Sequence, residues 1–98
     1  MRGLIVGKTY DRAYTRMENI IKDYEFFWNI KPRWVVKNKY TFQVEFENND
    51  IWHAISMNSN SRGRKCNILL IDENIPQEFR GIFEACVINR PYSGISYY

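Results

Sequence analysis

The spacing of apolar positions predicts a long amphipathic helix near the start of the chain. Between Tyr10 and about Trp28 the apolar residues recur every three or four positions, which places them on one helix face. These positions are Ala13, Met17, Ile20, Ile21, Tyr24 and Phe27. Thr9 or Asp11 supplies an oxygen that can cap the first turn. Before the helix, Leu4–Val6 is an apolar run bounded by glycines and predicts a buried strand.

The middle of the chain has the pattern of β-structure. Trp34–Val36 begins this region, and apolar and polar residues then alternate over Tyr40–Glu47. The cluster Asn48–Asp50 is typical of a tight turn that needs positive φ, so Ile51–Ile55 is predicted to return as the second strand of a hairpin. Further on, Ile68–Ile71 is a continuous aliphatic run, which predicts a strand buried on both faces.

The remaining segments are shorter and less regular. Residues 58–65 are polar and rich in helix and strand breakers, which predicts a loop. A short helix is predicted from Pro76 to about Phe83, with Phe79 and Phe83 facing inward. Two last segments follow it: a short strand over Ala85–Ile88 and a tyrosine-rich tail over Pro91–Tyr98.

Composition is that of one small globular domain. The chain has 98 residues, of which 45% are hydrophobic and 16% aromatic, so it can build a single core from large side chains. We therefore expect one domain over residues 1–98, with an α/β or α+β fold. Its predicted form is a small mixed sheet with a β-hairpin and one long amphipathic helix packed on one face.

Charge, cysteines and apolar runs limit the setting in which the protein works. The net charge of +3 permits a nucleic-acid partner without indicating one. No apolar run approaches the roughly 20 residues of a membrane-spanning helix, and the first residues lack a signal-peptide core. Cys66 and Cys86 are expected to be buried free thiols, with a bridge between them as the alternative. We expect a cytoplasmic protein, in the host cell if a phage encodes it, and no membrane partner.

Two acids, Asp72 and Glu73, directly follow the strand Ile68–Ile71. In P-loop ATPases a strand that ends in this way delivers an Asp to Mg²⁺ and a Glu that polarises the attacking water. Buried strands of other proteins also end in acidic turns. The alternative is therefore that both acids only end the strand and precede the Pro76 helix, where negative charge is favourable.

The order of these elements resembles the ATPase domain of phage terminase large subunits, the DNA-packaging motors, over about residues 3–90. In that family an amphipathic helix and a hairpin around an Asn-rich turn precede an Arg-Gly loop and the Walker B strand. The most specific part is Ser61–Arg64, just ahead of Ile68–Glu73. The resemblance implies that Asp72 corresponds to the metal-binding acid and Glu73 to the catalytic acid.

The chain departs from that family at the phosphate loop. Such a loop needs a glycine, four further residues and then Gly-Lys-Ser/Thr. The only Gly-Lys-Thr here is Gly7–Thr9, and the position of the first glycine is Arg2. The phosphate-loop segment and the strand that carries it in the family are thus missing. We expect no cofactor for the chain alone, and Mg²⁺ and ATP only if another chain completes the site; an isolated ATPase is not expected.

A basic cluster is the second candidate site. Arg62, Arg64 and Lys65 lie in the predicted loop, and Trp34 begins the β region. Cationic side chains near an exposed aromatic ring can bind phosphate and stack a base or contact a protein partner. The alternative is an ordinary solvated surface.

The sequence is consistent with three functions. The first is a truncated terminase-like protein of a phage or mobile element that binds a protein, such as a packaging subunit, or nucleic acid. The second is a small phage inhibitor of a bacterial defence system, including an anti-CRISPR, that works by occupying a host protein's surface. The third is a true catalyst, either a nuclease or an ATPase that another chain completes. Because the missing strand would leave sheet edges exposed, a homodimer or a rearranged mixed sheet is expected.

Overall fold

A computed structural model of the protein describes residues 1–58, 65–88 and 93–98, which form a six-stranded mixed sheet with two helices. This confirms the predicted fold class. The elements in chain order are β1 (Arg2–Gly7), α1 (Tyr10–Trp28), β2 (Pro32–Lys37), β3 (Phe42–Phe46), β4 (Ile51–Ser56), β5 (Ile68–Ile71), α2 (Gln77–Glu84) and β6 (Gly94–Tyr97).

The sheet has the strand order β2-β3-β4-β1-β5-β6. Strands β4, β1, β5 and β6 are parallel, whereas β3 is antiparallel to both of its neighbours. The first strand of the chain therefore lies inside the sheet, with Ile5 paired to Ala54 on one side and to Leu70 on the other.

The sheet is covered on both faces, which explains why β1 and β5 are almost entirely apolar. On one face Ile5 packs with the buried side of α1 and with β3, in a cluster that includes Met17, Phe42, Val44, Phe46 and Ala54. On the other face Leu4 and Val6 pack with α2 and the residues before it, in a cluster that includes Leu69, Ile71, Ile75 and Phe83.

Helix α1 begins and ends where its flanking residues satisfy the backbone. Thr9 caps the first turn, because its hydroxyl oxygen accepts a hydrogen bond from the backbone N–H of Arg12. Asn29 ends the helix in the left-handed region, with φ of 53°. The predicted bounds are confirmed, although Phe27 is 65% exposed and does not join the buried face.

The hairpin prediction is also confirmed. Phe42, Val44 and Phe46 are buried, and the polar residues between them face the other side of the sheet. Asn49, in the turn, has the expected positive φ of 73°.

Three predictions in the last third of the chain are wrong. The tail contains a strand, β6, because Gly94–Tyr97 pairs in parallel with β5. The predicted strand Ala85–Ile88 is absent from the described residues apart from a single bridge between Cys66 and Val87. Phe79 is 40% exposed, since α2 is only 8 residues long and faces the sheet through Phe83.

Cys66 and Cys86 are buried free thiols, as expected. Burial raises the pKa of Cys66 to about 11, so this thiol stays protonated. In the part of the chain that the structure describes, no helix is long and apolar enough to cross a membrane.

Candidate functional site

The turn Gly7–Thr9 and Asp72 meet at the carboxyl edge of the parallel strands. The chain leaves β1 toward α1 on one face of the sheet and leaves β5 toward α2 on the other face. In open α/β sheets, the crevice between two strands whose connections diverge in this way is the usual ligand site. The fold therefore places Gly7–Thr9 and Asp72-Glu73, the two segments singled out from the sequence, at the ends of these two strands.

Asp72 is fully buried, and its carboxylate is held by three donors. Oδ2 accepts hydrogen bonds from the backbone N–H of Lys8, at 2.9 Å, and from Nε of Arg12, with which it also forms an ion pair. Oδ1 accepts a hydrogen bond from the backbone N–H of Asn74, at 3.0 Å. The carboxylate therefore connects the end of β5 to the β1–α1 turn and the first turn of α1.

The donors decide the ionisation state of Asp72. Burial alone raises the pKa of this carboxyl. The hydrogen bonds from Arg12, Asn74 and Lys8, together with the charge of Arg12, outweigh that effect and hold the pKa below its usual range. The same pairing raises the pKa of Arg12. Asp72 is thus a buried anion with a dedicated cation beside it.

Stability is expected to fall in acid because of this group. Since the pKa of Asp72 is lower in the folded protein than in the unfolded chain, its contribution is complete above the unfolded value of about 3.9 and is lost as pH falls through the folded value. Urea midpoints measured from pH 7 to pH 2 should therefore decline below about pH 4. Asp72→Asn should flatten this part of the curve; an unchanged decline in the variant would contradict the assignment.

Glu73 lies apart from Asp72 despite being adjacent in sequence. Its side chain is exposed, while its backbone N–H donates to the carbonyl of Tyr98 and its carbonyl accepts from Nη2 of Arg80. The structure therefore places one acid of the pair inside the protein and the other in solvent.

The turn Gly7–Thr9 is committed to internal contacts. The Lys8 N–H bonds Asp72, and the Gly7 carbonyl accepts a hydrogen bond from the backbone N–H of Met57 at 2.8 Å. Phosphate loops use such backbone N–H groups to surround a phosphate. In this turn the Lys8 N–H serves the Asp72 carboxylate instead.

Beside the Asp72–Arg12 ion pair lies a groove of about 260 Å³ along α1. It is lined by Asp11, Arg12, Thr15, Arg16, Asn19 and Tyr98. The hydroxyl of Tyr98 donates to the carbonyl of Val6 at 3.1 Å, and the Arg16 guanidinium lies 6.0 Å from the centre of the Tyr98 ring. This arrangement fixes the end of β6 against β1 and α1.

The metal assignment of Asp72 stays a prediction. Within residues 1–58, 65–88 and 93–98, no three His, Cys, Asp or Glu side chains come together as a metal site. Both Asp72 oxygens already accept hydrogen bonds, so a cation there would have to compete with Arg12. The observed chemistry is that of a structural ion pair.

The described members of the predicted basic cluster lie on the sheet face that α1 does not cover. Trp34 is 37% exposed on β2 and donates through Nε1 to Glu45. Lys65 is exposed and lines a small hollow with Gln43 and His53. Trp34 is not among the residues that line this hollow. Arg62 and Arg64 lie outside the described residues.

A larger cavity, of about 410 Å³, lies at the opposite, amino edge of the sheet and was not predicted. The last turns of α1 and the start of β4 line this cavity, and these two segments come together only in the folded protein. In the sequence, the pair Tyr24 and Trp28 could have indicated this cavity, because residues four apart on a helix lie on the same face.

Fold and site together define a small mixed α/β protein in which a buried aspartate, Asp72, pairs with the exposed Arg12 at the carboxyl edge of its parallel strands. No protein-family model matches this chain, and no curated protein is significantly similar to it.

Proposed function

We propose that the protein acts by binding a protein partner that adds a strand to β6, and that it does not hydrolyse ATP on its own. This is the partner-binding role that the resemblance to terminase ATPase domains leads us to expect. The observation that carries the proposal is the outer edge of β6, with which nothing pairs in the described part of the chain.

The hydrogen bonds of β6 show which backbone groups are free to pair. Gly94 and Tyr98 donate their N–H groups to Asn67 and Ile71, toward β5. Because backbone direction alternates along a strand, the N–H and C=O groups of Ile95 and Tyr97 point away from β5. These two residues are 40% and 51% exposed, so the edge is open to a partner.

The two edges of the sheet differ in their protection against pairing. Strand β2 carries Pro32, Arg33 and Lys37 and has a register shift near Arg33, features that discourage edge-to-edge association. Strand β6 has the sequence Gly-Ile-Ser-Tyr, with no charge and no proline. An added strand is therefore favoured at β6, by the backbone pairing used in β-augmentation.

The Asp72 site supports a binding role over nucleotide turnover. The Asp72 carboxylate is hydrogen-bonded to Arg12 and Lys8, and the Glu73 side chain faces solvent. Neither carboxylate is therefore available to act on a phosphate at the Gly7–Thr9 turn. The proposed setting is the cytoplasm of a phage-infected cell, with a packaging subunit as the first candidate partner. If the protein is instead an inhibitor of a bacterial defence system, the same outer edge of β6 would bind a host protein.

Two proline substitutions test the proposal. In Ile95→Pro the lost N–H is the outward one, so the fold should survive while partner binding falls at least tenfold. In Ser96→Pro the lost N–H faces β5, so this control should lower the melting temperature. Tagged wild-type and variant proteins would be used to capture partners from bacteria with and without phage infection, followed by mass spectrometry and reconstitution of the purified pair.

The expected result is a stoichiometric complex with one protein. Ile95→Pro should weaken this complex at least tenfold without lowering the melting temperature, and Glu73→Gln should leave it unchanged. A complex that Ile95→Pro does not weaken would refute the β6 interface. Recovery of nucleic acid alone would refute the protein partner and point to the basic loop.

A further inference from the structure

The cavity at the amino edge of the sheet has aromatic walls and an apolar floor. Trp28 and Tyr24 come from α1, and Trp52 comes from β4. The remaining apolar lining consists of Met1, Ile20, Ile30 and Ile68. With about 410 Å³, the cavity falls within the range of small-molecule sites, roughly 300–1,000 Å³.

A chain of hydrogen bonds fixes the polar side of this cavity. Nε1 of Trp52 donates to the Tyr24 hydroxyl at 2.9 Å, and that hydroxyl donates to Oδ2 of Asp50 at 2.8 Å. Burial raises the pKa of Tyr24 to about 12, so the hydroxyl remains a donor at neutral pH. The ring of Tyr24 also stacks on Phe46 with centroids 3.9 Å apart, which holds the wall in place.

Two carboxylates, Asp23 and Asp50, line the same cavity. Asp50 also accepts a hydrogen bond from Asn48, and the amino group of Met1 lies 3.4 Å from its Oδ1. Asp23 is half-buried, and within the described part of the chain no cation or hydrogen-bond donor contacts its carboxylate. After Asp50 is paired, one uncompensated negative charge remains at an aromatic cavity.

We propose that this cavity binds an organic ammonium ion with an apolar body, of the alkylammonium class. The cationic head would lie between Asp23 and the exposed ring of Trp28, because indole faces attract ammonium groups and a carboxylate adds charge complementarity. The hydrocarbon part would pack against Ile20, Ile30 and Ile68, which accounts for the mostly apolar lining.

The geometry selects this class over two others. An anion would meet Asp23 and Asp50 without a free cation among the lining residues. A neutral alkane or alcohol would fill the apolar part but leave the Asp23 charge unpaired. The cavity lies at the amino ends of the parallel strands, opposite to Asp72, so this site is separate from the one at the carboxyl ends, and no residue of Gly94–Tyr97 lines it.

Titration with n-hexylammonium, monitored by NMR of the three indole N–H groups, tests the proposal. The resonances of Trp28 and Trp52 should shift with a dissociation constant on the order of 1 mM, while Trp34, on β2, serves as the internal reference. Hexanoate and 1-hexanol, of equal length, should bind at least tenfold more weakly.

Asp23→Asn should weaken hexylammonium binding roughly tenfold. Asp11→Asn, a carboxylate at the other end of the same helix, is the matched control and should leave binding unchanged. No shift of Trp28 or Trp52 up to 10 mM hexylammonium, on the order of tenfold above the expected constant, would overturn the proposal. Equal binding of hexanol, or an unchanged affinity in Asp23→Asn, would overturn it as well.

Discussion

Gly7→Ala is expected to destabilise the protein by roughly 2–3 kcal/mol. A Cβ atom on Gly7 would lie 2.5 Å from the backbone N of Ala13 and 2.5 Å from the carbonyl O of Thr9. Both are backbone atoms, so relief requires α1 to move relative to β1. For a domain of this size the melting temperature should fall by roughly 10–20 °C, measured by circular dichroism.

Gly81→Ala is the matched control for this substitution. Gly81 lies in α2, and a Cβ there would meet nothing within 4 Å. Because alanine favours helix over glycine, this variant should be unchanged or more stable by up to roughly 1 kcal/mol. If both variants melted like the wild type, the close approach of β1 and α1 at Gly7 would be disproved.

Asp72→Asn is expected to cost roughly 2–3 kcal/mol at neutral pH. Asparagine keeps one acceptor oxygen but replaces the other with an NH₂ group. That group would face either the Asn74 N–H or the donors of Lys8 and Arg12, so at least one buried hydrogen bond becomes a donor–donor contact. Urea unfolding monitored by tryptophan fluorescence measures the loss.

Glu73→Gln separates a structural role of the acid pair from a catalytic one. The side chain of Glu73 is exposed, so this variant should keep its stability within about 0.5 kcal/mol of the wild type. If Asp72 and Glu73 were catalytic, Asp72→Asn and Glu73→Gln would both abolish ATP hydrolysis while both proteins stayed folded. A stable Asp72→Asn protein would show that the Arg12 pair contributes little to folding.

Periodic segments could be predicted from sequence because their pattern reports burial directly. The helix Tyr10–Trp28 and the alternating strand Phe42–Phe46 each bury one side, so the period of apolar residues defined them. The run Ile68–Ile71 was equally informative, because a strand covered on both faces is apolar at every position. At the carboxyl edge, Asp72 was found because it follows that run.

The remaining features depend on contacts that no local pattern records. Strand β6 is exposed at all four positions, and the alternation of Ile95 and Tyr97 within Gly94–Tyr97 is too short to predict a strand. In the sequence, Arg12 is one of several charged residues on the polar face of α1. Only the folded structure brings it into contact with Asp72, 60 residues away. The cavity at the amino edge likewise joins Trp28 to Trp52 through tertiary packing.

The inner position of β1 has a consequence for how the protein is made. This strand leaves the ribosome before both of its neighbours, Ile51–Ser56 and Ile68–Ile71. Its pairing must wait for large loops to close, which slows folding relative to the β3–β4 hairpin. Until translation passes Ile71, Leu4, Ile5 and Val6 lack their partners on one side. During that interval the nascent chain is most exposed to aggregation and most dependent on chaperones.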